Sequence, residues 1–180
     1  MKFISGAFTD LSYPTGANIK QAIAFINEAV PHVQSVIDEI KKTKEVKSIN
    51  LWCRGSSGAM LAAIIASKMT EINFYIIHIK KEGENSHTSN SDYRKTIMEF
   101  GINMIIDDFI KTGETINHIK RGMDPYKIYD VDILLVNEAS FADLDDISFK
   151  PKYFISSQYT CNRWEKQFNG SYINRFPWEK

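Results

Sequence analysis

Early in the chain, apolar residues recur at three- and four-residue steps: Ile19, Ala22, Ile23, Ile26, Val30, Val33, Ile37 and Ile40. That period is one face of an amphipathic helix, expected from Asn18 to about Lys44. Pro31 falls inside it and is expected to kink the helix or divide it in two, because proline has no N–H and crowds the preceding turn. Further on, the pattern changes to short runs that are apolar throughout. Ser48–Cys53 (SINLWC), Asn73–Ile79 (NFYIIHI), Ile102–Ile106 (INMII) and Val131–Val136 (VDILLV) read as strands, with Tyr153–Ser156 a candidate last one. Gly58–Met69 (GAMLAAIIASKM) is small and apolar nearly all round, which suits a helix packed closely on a sheet. Helices are also expected from about Asp92 to Phe100 and from about Glu114 to Arg121, and the polar stretch Lys80–Asn90 (KKEGENSHTSN) as a loop.

Strands that are apolar on both faces and alternate with helices imply a mainly parallel sheet covered on both sides. Right-handed crossovers then make a doubly wound α/β fold. Ligands of such sheets bind beyond the carboxyl ends of the strands. The segments after Cys53, Ile79, Ile106 and Val136 are therefore where function is expected.

Composition narrows the class. The 180 residues carry 22 Lys+Arg against 22 Asp+Glu, a net charge of zero, and 43% are hydrophobic. This length favours one domain spanning 1–180, with a core over about 45–156. Balanced charge opposes nucleic-acid binding or the coating of an anionic membrane, since both need a basic excess. No apolar stretch approaches the roughly 20 residues that cross a bilayer. The opening MKFISGAFTD meets Gly6, Thr9 and Asp10 before a signal-type apolar region develops. Cys53 and Cys161 are too few for a disulfide framework, and Cys53, inside an apolar run, is expected to act as a small hydrophobe. A reducing cytoplasm is the expected location. His32, His78 and His118 fall on expected helices or a strand, where structural roles are expected.

The densest chemical signal is Asn103–Thr115, NMIIDDFIKTGET. An apolar strand ends in Asp107 and Asp108, and a turn with Thr112, Gly113, Glu114 and Thr115 opens the next helix. Unpaired N–H groups and the dipole at a helix N-terminus attract phosphate. Gly113 lets the backbone come close to an anion, and the hydroxyls of Thr112 and Thr115 are potential donors to it. Adjacent carboxylates would repel that phosphate, so a sugar diol or a magnesium ion suits them. Capping of the helix by Asp108 or Thr112 is the simpler alternative. A second anion nest is expected at Arg54-Gly55-Ser56-Ser57-Gly58, which is neither a P-loop nor a dinucleotide fingerprint, and for which a tight turn requiring glycine is the alternative.

NMIIDDFIKTGET resembles the phosphoribosyl-diphosphate (PRPP) motif of type I phosphoribosyltransferases, and the order of elements over roughly 48–156 is similar to that family's core. The resemblance implies transfer of ribose 5-phosphate from PRPP to a purine, pyrimidine or related base, with Mg²⁺ and release of pyrophosphate. It implies that Asp107 and Asp108 hold the ribose hydroxyls, and the metal through that diol or water, and that Lys111, Thr112, Gly113, Glu114 and Thr115 hold the 5′-phosphate. Arg54, Gly55, Ser56 and Ser57 are similar to the pyrophosphate loop. Lys80, Lys81 and Glu82 are similar to the flexible catalytic loop of the orotate branch, making Lys81 a catalytic candidate beside Asp107 and Asp108. Glu84 stands where that branch has a later lysine, and His87 sits one place late. Lys111 occupies the position where 6-oxopurine enzymes carry an acid, which counts against a hypoxanthine/guanine enzyme. The resemblance also implies a homodimer and a small hood over the base, built from a chain terminus. Phe3–Tyr13 within 1–44 and the aromatic tail 157–180 (Tyr159, Trp164, Phe168, Tyr172, Phe176, Trp178) are its candidates. A PRPP- or nucleotide-binding regulator without turnover, or a nucleotide-binding interaction module, remains an alternative.

Overall fold

The computed structural model describes residues 15–80, 101–110, 112–140, 147–160 and 173–174. Helix α1 (Thr15–Lys41) leads into β1 (Ser48–Cys53), α2 (Gly55–Lys68), β2 (Asn73–His78), β3 (Gly101–Ile110) and α3 (Glu114–Met123). A 3₁₀ turn (Asp124–Tyr126), β4 (Ile133–Ser140), β5 (Tyr153–Thr160) and the short β6 (Ile173–Asn174) complete the described chain. The strands form one sheet in the order β2-β1-β3-β4-β5-β6. Strands β1 to β5 pair in parallel and β6 runs antiparallel to β5. This is the doubly wound α/β architecture expected from the apolar runs.

Alternating side chains sort the sheet into two cores. Ile49, Leu51, Cys53, Met104, Ile106, Leu135 and Ile155 face α1 and α2, joining Ile26, Val33, Ile37, Leu61 and Ile65 in one cluster. Trp52, Ile77, Ile105, Leu134, Val136 and Phe154 face the other way and meet Ile116, Ile119 and Met123 of α3. Trp52 and Tyr126 close this second core, ring centroids 5.9 Å apart. α1 is thus a layer of the core over residues 15–41, and Phe3–Tyr13 lie outside the described residues.

α1 continues through Pro31 as one helix, so the expected division does not occur. The carbonyl deprived of its partner belongs to Asn27, four residues earlier. Asn27 and Pro31 are both exposed, so water satisfies that group at small cost. β1 has the expected ends, whereas β3, β4 and β5 run beyond their apolar stretches, through Asp107–Ile110, Asn137–Ser140 and Ser157–Thr160. Backbone pairing needs no apolar side chains, so the ladder outlasts the hydrophobic run. The expected Asp92–Phe100 helix falls outside the described residues.

At the amino ends of the strands a buried carboxylate joins four segments. Asp132 accepts Lys44 Nζ at 3.2 Å and Lys152 Nζ at 2.9 Å. It also accepts the Asn103 N–H at 3.0 Å. Lys152 is raised above its ordinary pKa of 10.5, chiefly by the hydrogen bond to Asp132, with burial opposing. The ion pair therefore stabilises the fold below lysine's unfolded value, and its contribution is lost as pH rises through the raised folded value. Replacing Asp132 by Ala should cost about 2 kcal/mol, because the Asn103 N–H loses its acceptor inside the fold. Urea unfolding at neutral pH measures this. A Lys152→Met variant should show a smaller loss of stability than the parent as pH climbs past 10.5.

Candidate functional site

The strand order reverses beside β1: β2 lies on one side of it and β3 on the other. Doubly wound sheets open a crevice at such a point, outside the carboxyl ends of the two strands. Here β1 ends at Cys53 and passes through Arg54 straight into α2, while β3 ends at Ile110 and leads to α3. The two helices cover opposite faces, so both of their N-termini flank the same crevice. Lys80 lies beyond the end of β2, the next strand over.

The β3 side carries Asp107 and Asp108, only 4% and 5% exposed. Ile105 and Ile106 belong to opposite cores, so the alternation takes the two carboxylates to opposite sides of the sheet edge. Asp107 Oδ1 accepts the Asp108 backbone N–H at 3.0 Å. Five residues after Asp108, Gly113 adopts φ 68° and ψ −4°, the left-handed region, as the N-cap of α3. Its carbonyl accepts the Asn117 N–H at 2.8 Å, and the Thr112 hydroxyl accepts the Glu114 N–H at 3.4 Å. Glu114 and Thr115 are exposed in the first turn. Lys111 lies outside the described residues.

On the β1 side, Arg54 is extended (φ −144°, ψ 146°) and caps α2 without a side-chain bond. Gly55, Ser56 and Ser57 are the first turn of that helix; the separate Arg54–Gly58 loop expected before it does not form. Gly55 turns the chain at φ 70°, the tight glycine turn weighed as the alternative, and at Gly58 an added Cβ would sit 3.3 Å from Cys53 Cβ and 3.4 Å from the Ile106 carbonyl. Hydrogen at that position lets the first turn lie directly against β1 and β3, so the helix starts as soon as the strand ends. The Arg54 Nη1 atom is buried without a hydrogen-bond partner among the described residues. A buried cationic donor left unmatched is suited to an anion arriving in the crevice.

Cys53 lies under this edge, its Sγ 3.8 Å from the Ile77 carbonyl. Burial, with a contribution from the charge of Asp107, pushes its thiol up to about 12. It is an inert core residue, as expected. The apolar runs did not single out Asn137 and Ser156, which are 4% and 3% exposed within β4 and β5. Each follows its apolar run directly or closes it, the position that Asp107 holds on β3, and that was the available signal. Lys81, Glu82, Glu84, His87 and the tail from 161 to 172 and 175 to 180 lie outside the described residues. Among the described residues no cluster of three or more His, Cys, Asp or Glu could hold a metal. No helix among them is long and apolar enough to cross a membrane.

Solved structures share this fold. Adenine phosphoribosyltransferase from Thermoanaerobacter pseudethanolicus superposes with a TM-score of 0.55 at 16% identity, covering 82% of this chain and 88% of that one. Hypoxanthine phosphoribosyltransferase from Trypanosoma cruzi, solved with its product IMP, gives 0.53 at 14% identity, over 80% of this chain and 74% of that one. The fold is that of the type I phosphoribosyltransferases. No family model matches the chain, and no curated protein matches it in sequence.

A left-handed φ costs a residue with Cβ about 1–2 kcal/mol. Gly113→Ala should therefore destabilise the protein by about that amount, read as a lower urea midpoint with unchanged slope. In native protein at pH 8, iodoacetamide should leave the Cys53 peptide unlabelled by mass spectrometry. The same treatment in denaturant should label it fully.

Proposed function

We propose that the protein is a phosphoribosyltransferase that moves ribose 5-phosphate from PRPP to a nitrogenous base and releases pyrophosphate. The observation that carries this reading is the juxtaposition of the β1–α2 and β3–α3 junctions at the carboxyl ends of two paired strands. Two buried aspartates lie in the carboxyl-terminal half of β3, which pairs with β1 where the strand order reverses, and the same chain segment continues into a helix opened by left-handed Gly113. In the type I phosphoribosyltransferase fold, this geometry suits a phosphorylated sugar, with hydroxyls at the carboxylates and an anion at the helix N-terminus.

In the reaction, the bond from the anomeric carbon to the pyrophosphate oxygen breaks and its electron pair leaves with pyrophosphate. A ring nitrogen of the base supplies the new bond and loses its proton. The anomeric carbon passes through an oxocarbenium-like state, as in glycoside cleavage. Asp107 and Asp108 orient the ribose hydroxyls and place negative charge near that developing cation. The backbone N–H groups of Gly113, Glu114 and Thr115, with the Thr115 hydroxyl, take the 5′-phosphate, and Lys111 adds charge there. Arg54 and the first turn of α2 receive the departing pyrophosphate, whose charge suits the unmatched Nη1. Lys80 and Lys81 follow β2 and complete the cationic side.

Magnesium fits this donor set: it keeps several waters and is held by one or two carboxylates plus substrate phosphates rather than by a protein cage. Asp107 and Asp108 would hold it, through water or the ribose diol, and it would neutralise charge on the leaving pyrophosphate. The names of the structural neighbours, with adenine and hypoxanthine as bases, make purines the first acceptors to try. Lys111, in place of an acid, points away from hypoxanthine. The departures in the Lys80–His87 segment, with Glu84 in place of a later lysine and His87 one place late, favour a second reading, a PRPP-binding regulator without turnover.

Wild-type protein with PRPP, Mg²⁺ and a panel of purine, pyrimidine and related bases should release pyrophosphate with at least one base. The Asp107→Asn, Asp108→Asn double variant should lose at least about 100-fold in turnover while its circular dichroism stays native. Unchanged turnover in that variant would defeat the assignment. PRPP binding without pyrophosphate release from any base would favour the regulator.

A further inference from the structure

Gly122 stands in the last turn of α3 without a left-handed φ, so its backbone conformation does not call for glycine. Glycine in a helix lowers stability relative to alanine, because it gives up more backbone freedom on folding. The space beside it supplies the reason for glycine here. A Cβ at Gly122 would lie 2.8 Å from Ile79 Cδ1, 3.0 Å from its Cγ2 and 3.1 Å from its Cγ1. Ile79 is β-branched and stiff at χ1, so turning one of these atoms away brings another towards the helix. The contact needs hydrogen on the α3 side.

Ile79 is held from elsewhere as well. Its N–H donates to the Cys53 carbonyl at 2.8 Å, which extends the β1–β2 pairing by one residue. Its half-buried side chain packs on the core that contains Trp52, Ile77 and Ile116. Ile79 is thus fixed between the end of β1 and the body of α3. The residue after Cys53 is Arg54, and the residue after Ile79 is Lys80. One backbone hydrogen bond therefore joins the two residues from which these cations depart, and α3 seats one of the two.

We infer that Gly122 is a positioning residue for Lys80: its missing Cβ lets Ile79 seat on α3, and the seated Ile79 fixes where the chain delivers Lys80 relative to Arg54. The contact stands on geometry; its effect on ligand rests on the phosphoribosyltransferase reading. A double-mutant cycle in urea tests the contact without ligand. Gly122→Ala alone should lower the folding equilibrium constant at least about threefold, because overpacking outweighs the gain in helix propensity. In an Ile79→Ala background, which lacks all three crowded atoms, the same change should raise that constant instead. An equal effect in both backgrounds means that Ile79 does not exclude a Cβ, and the inference falls.

For the ligand effect, pyrophosphate with Mg²⁺ is the calorimetric probe, used on the folded full chain. Gly122→Ala should weaken pyrophosphate about tenfold, as expected for a displaced charged donor. Ribose 5-phosphate, which meets the other end of α3 at Gly113, should stay within about threefold of its wild-type affinity. In a Lys80→Ala background, Gly122→Ala should weaken pyrophosphate by less than about threefold further, since the residue it acts through is gone. A glycine needed only for packing would lower stability and leave pyrophosphate affinity untouched, and that result overturns the positioning role. Equal loss of both ligands, or a tenfold loss that persists without Lys80, overturns it too. Should wild-type protein bind neither pyrophosphate nor PRPP, the ligand role falls with the proposed function, and the cycle alone judges the contact.

Discussion

Removing an ionised carboxylate from water costs several kcal/mol unless the protein replaces the lost hydrogen bonds. β3 bears that cost twice, at Asp107 and Asp108, because it is paired on both edges and covered on both faces. Much of the architecture around the crevice follows from this constraint. The Asp107 carboxylate takes the Asp108 N–H, and the donors of β4 and β5 crowd the same edge. A strand this enclosed holds its carboxylates in place before any ligand arrives. Preorganisation of that kind is what electrostatic stabilisation of a developing charge requires.

The opposite edge of the sheet shows the contrasting solution. Asp132 is as buried as the β3 pair but is matched by two lysines and a backbone N–H drawn from separate segments. That carboxylate ties together the segment after α1, strand β3 and the residue that leads into β5. At the carboxyl edge Arg54 keeps a buried nitrogen without a partner among the described residues. One end of the sheet therefore has its charges satisfied internally, and the other retains donor capacity.

Several elements were legible in the chain. The apolar period of α1 and the runs of β1 and β2 located these elements because burial on one or both faces is written directly into side-chain polarity. The ends of β3, β4 and β5 were not, since hydrogen bonding between strands continues where the side chains turn polar. The start of α2 was missed for a related reason. Gly58 reads as loop chemistry in one dimension, but its missing Cβ is what lets the helix close on Cys53 and Ile106. Asp107, Asp108 and Gly113 stood out as adjacent letters in a single motif.

By itself, then, the sequence determined the class of fold and the segment where charge and a glycine turn meet, because both are encoded in the polarity and backbone freedom of neighbouring residues. Tertiary structure decided which strands lie beside one another. Only that adjacency sets Arg54, more than fifty positions earlier in the chain, across one crevice from Asp107, and Ile79 against Gly122. No local pattern encodes such pairings, for they follow from how crossovers order the sheet and how two apolar faces are covered at once.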